Sequence, residues 1–298
     1  MLTEIVGTFV GRWYVTLFGI TFVVLCVRHL GWKRTAIYSV VAIGVGVLAE
    51  NGSVHLGIPY TRYAFNPDLR GKELWVFDAP LMVSLSYTFM SYFGFATARL
   101  IMGGPFRSRG RRPVLEVVLA VVLTTWGLWI VDPISRLGAH FFLGELFRYD
   151  GPGFWFGLPL GSQLGFMGTS AVLVGTLAWL ARDEVEERVD RWWRHPRLPA
   201  LGGYLGQPAF MAATAFVVAR TNSDPAVVKL ADTLAGGALV LYIPLIVIVA
   251  VTWAEQLTSR SAVDEYAPTE PSTADTRRHR AEDRRSIVDD PIRVGHDA

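Results

Sequence analysis

Four carboxyl groups stand where long apolar runs of this chain meet more polar sequence. They are Glu50, Asp78, Asp132 and Asp232. Ionisable side chains at membrane depth are costly, and they usually face the interior of a helix bundle or a cavity. Removal from water disfavours the charged form of a carboxyl group, so an acid in such a place can keep its proton and donate it. The set predicts catalytic acid–base chemistry, with an ordinary helix-end role as the alternative for each residue.

Glu50 and Asp132 are the stronger candidates, because each is expected at the C-terminal end of a helix. The helix dipole disfavours a negative charge at that end. Each acid therefore needs either a proton or a cationic partner, and Arg62 and Arg136 are candidates for that partner. Asp78 stands just before a proline-led helix, where an N-cap role is the simpler interpretation.

The two loops 51–77 and 133–154 are rich in aromatic residues, and we expect them on the same face as these acids. With their flanking helices they supply the candidate substrate-binding residues Tyr60, Tyr63, Trp75, Tyr87, Trp126, Trp129 and Trp155. One interpretation is an interfacial aromatic belt. The other is a pocket for a long apolar substrate, in which ring faces stabilise a passing carbocation. The two interpretations are compatible.

The composition determines which elements must position these residues. The chain has 298 residues, 51% of them apolar, and a mean hydropathy of +0.34. A run of about 20 apolar residues crosses a hydrocarbon core of about 30 Å, and this sequence contains several such runs. The single cysteine, Cys26, excludes an intrachain disulfide and a cysteine-based metal site. We therefore expect an all-α, polytopic membrane protein.

The apolar runs predict seven transmembrane helices, because backbone polar groups in lipid must be satisfied within each segment. The expected spans are 6–27, 35–49, 80–102, 113–131, 155–181, 198–218 and 227–253. Arginine and lysine concentrate in the loops after the first, third and fifth spans and in the tail. This bias predicts an exterior N-terminus, a cytoplasmic C-terminus and a place in the cell membrane. Residues 1–258 form the expected membrane domain, and residues 259–298 are too polar to fold and form a disordered tail.

Four motifs in order carry a family resemblance. They are AENGSVHLGIPYTRYAF from Ala49, DAPLMVSLSY from Asp78, WGLWIVDP from Trp126 and GPGFWFGLPLGSQLGF from Gly151. The pattern resembles the integral-membrane carotenoid biosynthesis proteins, which include carotenoid 1′,2′-hydratases and the bisanhydrobacterioruberin hydratase. The motifs cover roughly residues 49–166, and the outer thirds of the chain match only as apolar spans.

The resemblance implies a lyase that adds water to a terminal isoprene double bond. An acid protonates the alkene, a tertiary cation forms, and water captures it. Glu50 and Asp132 are then the proton donor and the water-orienting base, in an order that the sequence leaves open. The implied ligands are a hydrophobic isoprenoid substrate and membrane lipid, with no cofactor, no metal and no nucleic acid. Partner enzymes of the same biosynthetic pathway are an open alternative.

Two other functions stay open. Thr61, Tyr87 and Ser162 depart from the family pattern, as would be expected of a relative recruited to another isoprenoid. A terpene cyclase that protonates an alkene or an epoxide would need the same acid. A transporter of a hydrophobic small molecule would instead show inverted repeats and broken helices, and GIPY at 57–60 and GLPL at 157–160 agree only loosely.

Overall fold

The computed structural model describes residues 1–103, 113–140, 144–150, 153–184 and 197–265. In these ranges the chain is mostly helical, which confirms the all-α expectation. The α-helices are α1 (Leu2–Val6), α2 (Trp13–Leu30), α3 (Trp32–Leu56), α4 (Leu81–Gly103), α5 (Pro113–Val131), α6 (Leu160–Leu180), α7 (Leu198–Thr221) and α8 (Pro225–Glu265). Met1–Gln256 form one compact unit. Helix α8 continues beyond the expected domain boundary at residue 258, and residues 266–298 of the expected tail lie outside the described residues.

Six of the described helices are long and apolar enough to cross a membrane, namely α2, α3, α5, α6, α7 and α8. Helix α4, expected as the seventh span, is more polar. It packs against α2, α3, α5, α6 and α7. Its buried polar side chains include Ser84, Ser91, Thr97 and Arg99, and these contact protein rather than lipid. The count of seven spans therefore stays a prediction that depends on this central helix.

Small residues allow the neighbours of α4 to approach closely. A Cβ atom added at Gly46 of α3 would lie 3.0 Å from Ser84 Cα, and one added at Gly94 of α4 would lie 3.2 Å from the Thr124 nitrogen of α5. Both contacts are with backbone, which cannot rotate away. Close backbone approach at small residues is typical of helix packing in membranes.

Helix α3 is longer than expected, and this corrects the position of Glu50. The sequence placed Glu50 at the end of a helix, but α3 continues to Leu56 and ends at Gly57, which has a left-handed conformation with φ of 73°. The polar residues after Glu50 do not break the helix, because Asn51 Nδ2 donates to the Val47 carbonyl oxygen and Ser53 Oγ donates to the Ala49 carbonyl oxygen, each at 2.8 Å. The helix-dipole argument therefore fails for Glu50.

The N-terminal span also begins later than expected. A π-helical turn, Gly7–Gly11, precedes Arg12, where the helix geometry is interrupted before α2 begins at Trp13. Arg12 is buried, and its Nε atom donates to Glu73 Oε1 at 2.9 Å. The break places a charged side chain inside the protein instead of in lipid.

Short strands close one end of the helix bundle. Strand β1 (Tyr63–Phe65) pairs antiparallel with β4 (Phe147–Tyr149), with Tyr63 opposite Tyr149 and Phe65 opposite Phe147. Strands β2 (Trp75–Val76) and β3 (Ala79–Pro80) form a second pair. We call these four strands and the 3₁₀-helical segments Pro67–Leu69 and Asp132–His140 the cap. The β1–β4 pairing confirms that the two aromatic-rich loops lie on the same face.

An ionic cluster lies at the opposite end of the bundle. Glu184 Oε1 lies 2.7 Å from His29 Nε2 and 3.3 Å from Arg197 Nη2, and Glu184 Oε2 contacts Arg99 Nη1. Burial alone would raise the pKa of the Glu184 carboxyl group, but contact with His29 and the charges of Arg197 and Arg99 outweigh burial and lower the pKa to about 2. The cluster joins the ends of α2, α4, α6 and α7.

Candidate active site

A cavity lies beneath the cap, between α2, α3, α4, α5, α6 and α7. Its empty volume is about 1350 Å³, part of which is open at the mouth. Glu50 of α3 and Asp132, which directly follows α5, both line it. The structure therefore brings together the two acids that the sequence favoured, although they are 82 positions apart in the chain.

Tyrosine hydroxyl groups hold the Glu50 carboxyl group from two directions. The Tyr87 hydroxyl of α4 donates to Glu50 Oε1 at 2.5 Å, and the Tyr63 hydroxyl of β1 donates to Glu50 Oε2. Glu50 is only 4% exposed. Two donors on one carboxylate favour its charged form, so the tyrosines oppose the cost of burying it.

A third tyrosine extends this hydrogen-bond chain. The Tyr60 hydroxyl lies 2.5 Å from the Tyr87 hydroxyl and 3.1 Å from Thr169 Oγ1 of α6. Burial, and then the negative charge of Glu50, raise the pKa of both Tyr60 and Tyr63 well above the usual range. These two side chains therefore stay protonated, with hydroxyl groups available to hydrogen-bond.

Asp132 occupies a more apolar part of the lining. It begins the 3₁₀-helical segment of the cap, and Leu128, Val131 and Ile134 line the cavity beside it. Tyr149 of β4 also lines the cavity, and its hydroxyl lies 2.6 Å from Ser162 Oγ of α6. Burial, and then the nearby Asp132 carboxyl group, raise the pKa of Tyr149.

Aromatic rings form much of the wall near these acids. The Tyr63 ring centroid lies 5.3 Å from that of Phe65 and 5.3 Å from that of Tyr149. Phe147 completes the cap side of the wall, and Phe166 of α6 lines the cavity from below. A lined pocket is therefore present, as the second interpretation of the aromatic-rich loops expected.

The other proposed binding residues lie around the cavity rather than in its lining. Tyr60 stacks on Phe166 with centroids 4.2 Å apart, and so supports the wall from behind. Arg70 lies over the Trp75 ring at 4.2 Å. The remaining tryptophans stack in a row, with Trp126 to Trp129 at 6.3 Å and Trp129 to Trp155 at 5.9 Å. The side chains that line the cavity, among the described residues, do not include those of Tyr60, Trp75, Trp126, Trp129 and Trp155.

Asp78 and Asp232 are not brought to the Glu50–Asp132 pair. Asp78 is 43% exposed in the cap, where it contacts Arg70 and lies 2.9 Å from His55 Nε2. Asp232 is exposed on α8. A catalytic role for either residue stays a prediction. The expected partner Arg62 donates instead to the His55 carbonyl oxygen, and the side chain of Arg136 lies outside the described residues.

Several lining residues were missed from the sequence, and they include the ion pair of Arg12 and Glu73. The signal was present, because an arginine inside an otherwise apolar run must find a partner. Phe18, Phe89 and Gln207 also line the cavity. They lie outside the four motifs, so the motif pattern did not point to them.

Comparison with known proteins gives one match. A family model described as carotenoid biosynthesis protein matches residues 10–235. A search of curated proteins and a search of solved structures each returned no significant match. The matched region contains the cap, and it contains Glu50, Asp132 and the three tyrosines of the hydrogen-bond chain, Tyr60, Tyr63 and Tyr87.

Proposed function

The chain belongs to the carotenoid biosynthesis protein family, and from this premise we propose that it is a membrane-integral hydratase acting on a terminal alkene of an isoprenoid. Family membership supports a role in carotenoid biosynthesis. The observation that carries the finer proposal is the presence of Glu50 and Asp132 in one aromatic-lined cavity. Two carboxyl groups with different surroundings are the requirement for paired acid and base chemistry.

The contacts of Glu50 suggest an order for the two roles. Tyr63 and Tyr87 donate to its two oxygens, which favours a carboxylate. We therefore assign Glu50 to the proton-accepting role and Asp132 to the donating role. A carboxylate that is already charged can orient a water molecule and take its proton.

The reaction then proceeds in two steps. The Asp132 carboxyl group gives its proton to the less substituted carbon of the double bond, and the π electrons form the new C–H bond. The other carbon becomes a tertiary cation. A water oxygen attacks this cation while Glu50 accepts the water proton, which gives a tertiary alcohol. Return of that proton to Asp132 through solvent restores the enzyme, so one water molecule is added overall.

The cavity wall supplies the remaining requirement. Ring faces attract cations, by about 0.5–2 kcal/mol for a cation within about 6 Å of a ring centroid. Tyr63, Phe65, Phe147 and Tyr149 surround the region near the acids. The wall also limits water near the cation, so the nucleophile is the molecule that the carboxylate holds.

A terpene cyclase is the second candidate, because the same wall is largely aromatic and apolar. If no water reaches the cation, a second double bond of a folded substrate captures it and closes a ring, and the new cation then loses a proton to Glu50, which gives an isomer of the substrate. This candidate needs the same proton donor and differs only in the nucleophile.

The proposal places the enzyme in the cell membrane with α4 as a seventh span, an exterior N-terminus and the cap on the exterior side. The six apolar helices support a membrane protein, and the basic loops support the orientation. In this arrangement an apolar substrate enters the cavity from the bilayer.

Expression in a lycopene-producing host tests the function. A hydratase converts lycopene to products heavier by one water for each modified end, as read by liquid chromatography and mass spectrometry. A cyclase leaves the carotenoid pool unchanged and, when a shorter isoprenoid is supplied, yields a cyclised isomer of the same mass. Cells that express the Asp132→Asn variant are the negative control, in which no new product is expected. If neither pool changes while the wild-type protein is present in the membrane, the enzymatic proposal is wrong.

A further inference from the structure

The cavity contains a second polar site, formed by Arg12 and Glu73. Both residues line the cavity, and they are 5% and 7% exposed. Arg12 precedes α2 and Glu73 belongs to the loop between α3 and α4. The proposed hydration uses neither residue, although burying charged groups costs several kcal/mol for each ion.

The ion pair leaves one carboxylate oxygen without a donor. Arg12 Nε and Arg12 Nη2 both approach Glu73 Oε1, each at 2.9 Å. Among the described residues no hydrogen-bond donor reaches Glu73 Oε2, which is buried. A buried acceptor without a partner costs about 1–3 kcal/mol, and more when it is charged. Such an atom calls for a donor that comes from outside the protein chain.

From this geometry we infer that Glu73 Oε2 accepts a hydrogen bond from an uncharged donor group on the substrate, such as a hydroxyl. The substrate class then includes isoprenoids that carry a polar donor as well as an alkene, and these should bind more tightly than a hydrocarbon such as lycopene. This inference rests on the proposed function in one respect only, that the substrate occupies the cavity. It adds a specificity-determining residue that is separate from the acid pair.

The charge of the site excludes other head groups. One guanidinium and one carboxylate cancel, so the pair has no surplus positive charge for a diphosphate or a carboxylate ligand. The free oxygen is an acceptor, which repels anions and favours an O–H or N–H group. A wholly apolar ligand would leave the oxygen unsatisfied.

This site and the Glu50 site have different hydrogen-bond partners. Glu50 is held by Tyr63 and Tyr87, whereas Glu73 is held by Arg12, so the two carboxylates use different partners. Phe18 and Phe89 also line the cavity, and their rings stack at 5.7 Å. A ligand with one polar group and an apolar chain suits a cavity that has two polar sites and an apolar wall.

Equilibrium binding to the purified full chain in lipid nanodiscs tests this inference. The probes are geranylgeraniol and the hydrocarbon that differs from it only by hydrogen in place of the hydroxyl. A hydrogen bond to a charged acceptor is worth about 1.5–3 kcal/mol, so the wild-type protein should bind the alcohol at least about tenfold more tightly. In Glu73→Gln the preference should fall to about threefold or less. Glu145→Gln, which changes a half-buried carboxylate that is also paired with an arginine but does not line the cavity, should keep the preference.

The outcomes separate this inference from the proposed function. Glu50→Gln should lose hydration and keep the binding preference for geranylgeraniol over the hydrocarbon. If the wild-type protein binds geranylgeraniol and the hydrocarbon with equal affinity, the proposed role of Glu73 is wrong. This holds whatever the variant and the catalytic assay show. Equal affinity is also the result expected if only a buried water donates to Glu73 Oε2. An unchanged preference in a monodisperse Glu73→Gln protein would overturn the role of Glu73 as well.

Discussion

Glu50 receives two hydrogen bonds from separate parts of the chain, and the roles that we propose for the acid pair depend on this arrangement. Tyr63 comes from the cap and Tyr87 from the central helix α4. Asp132 stands across a shared cavity, beside Leu128, Val131 and Ile134. Because Glu50 already accepts these two hydrogen bonds, we propose it as the proton acceptor and Asp132 as the proton donor.

Substitution of the two acids should therefore change the reaction products in different ways. In Asp132→Asn the alkene is never protonated, so no product of any kind forms. In Glu50→Gln protonation continues slowly, but the cation loses a proton or reacts internally, which gives alkene isomers in place of the alcohol. Product analysis by mass spectrometry distinguishes these patterns. Asp68→Asn, which changes an exposed carboxylate of the cap, is the control. Alkene isomers from Asp132→Asn would reverse the assignment.

The tyrosine donors should matter without being essential. Tyr63→Phe and Tyr87→Phe each remove one donor to Glu50 and keep the ring. A lost hydrogen bond to a charged group is worth about 1.5–3 kcal/mol, so turnover should fall roughly 10- to 100-fold. Tyr38→Phe makes the same chemical change at a buried site where the hydroxyl donates to the Thr88 carbonyl oxygen, and should leave turnover nearly unchanged. Equal losses in all three variants would argue for general destabilisation.

At this scale the sequence predicted the acids better than their surroundings. Glu50 and Asp132 were identifiable because a charged residue beside an apolar run requires an explanation. The donors Tyr63 and Tyr87 were proposed to bind substrate, and their bonds to Glu50 depend on a β-strand and a helix meeting at one point. The Arg12–Glu73 pair joins positions 61 residues apart, and such a pairing cannot be deduced from one sequence without the fold.

At the scale of elements, α6 and the segment after α3 hold the hydrogen-bond chain in place. A Cβ atom added at Gly165 of α6 would lie 2.7 Å from Tyr60 Cδ1 and would also clash with the Pro59 carbonyl oxygen. The absence of a side chain at this position lets the Tyr60 ring sit beside Phe166 and reach Tyr87.

Gly165→Ala should therefore reduce activity by displacing Tyr60. We expect a loss of at least tenfold in turnover, since Tyr60 contacts Tyr87 and Tyr87 donates to Glu50. Gly168→Ala is the matched control on the same helix, because nothing lies within 4 Å of an added Cβ atom there, and alanine favours a helix over glycine by about 1 kcal/mol. Similar turnover in both variants would contradict this role for Gly165.

Element bounds were predictable where apolar runs are clean and unpredictable where polar residues continue a helix. Helix α5 ends at Val131 as expected. Helix α3 passes through Asn51 and Ser53 because their side chains bond to carbonyl oxygens one turn earlier. The polarity of α4 depends on the fold instead, because Tyr87 donates to Glu50 of α3 and Arg99 pairs with Glu116 of α5 and with Glu184.

At the scale of the whole molecule, the cap and the ionic cluster fasten the two ends of the bundle. The cap covers the cavity and carries four of its aromatic rings, those of Tyr63, Phe65, Phe147 and Tyr149. The cluster at the other end centres on Glu184, which contacts His29, Arg99 and Arg197. In the proposed mechanism the reaction takes place at the capped end, and we expect the ionic cluster at the other end to contribute to stability.

The cluster should make stability depend on acid pH. The pKa of Glu184 is lowered in the folded protein to about 2 from an ordinary 4.5. A lowered folded-state pKa stabilises the protein above the ordinary pKa, and this contribution is lost as pH falls from about 4.5 towards about 2. Thermal unfolding in detergent should therefore show a steeper fall of Tm in this window for the wild type than for Glu184→Gln. If Tm falls equally with pH in both proteins, Glu184 does not contribute to the pH dependence of stability.

The proposed function depends on proton transfer from a carboxyl group to carbon, and incorporation of solvent deuterium tests this most directly. Membranes that contain the protein are incubated in D₂O with the substrate identified in the host assay, and the product is analysed by mass spectrometry and NMR. The mechanism predicts one carbon-bound deuterium next to the new C–O or C–C bond, and no labelled product from Asp132→Asn. A product formed without carbon-bound deuterium, or formed at an undiminished rate by Glu50→Gln/Asp132→Asn, would contradict acid catalysis by this pair.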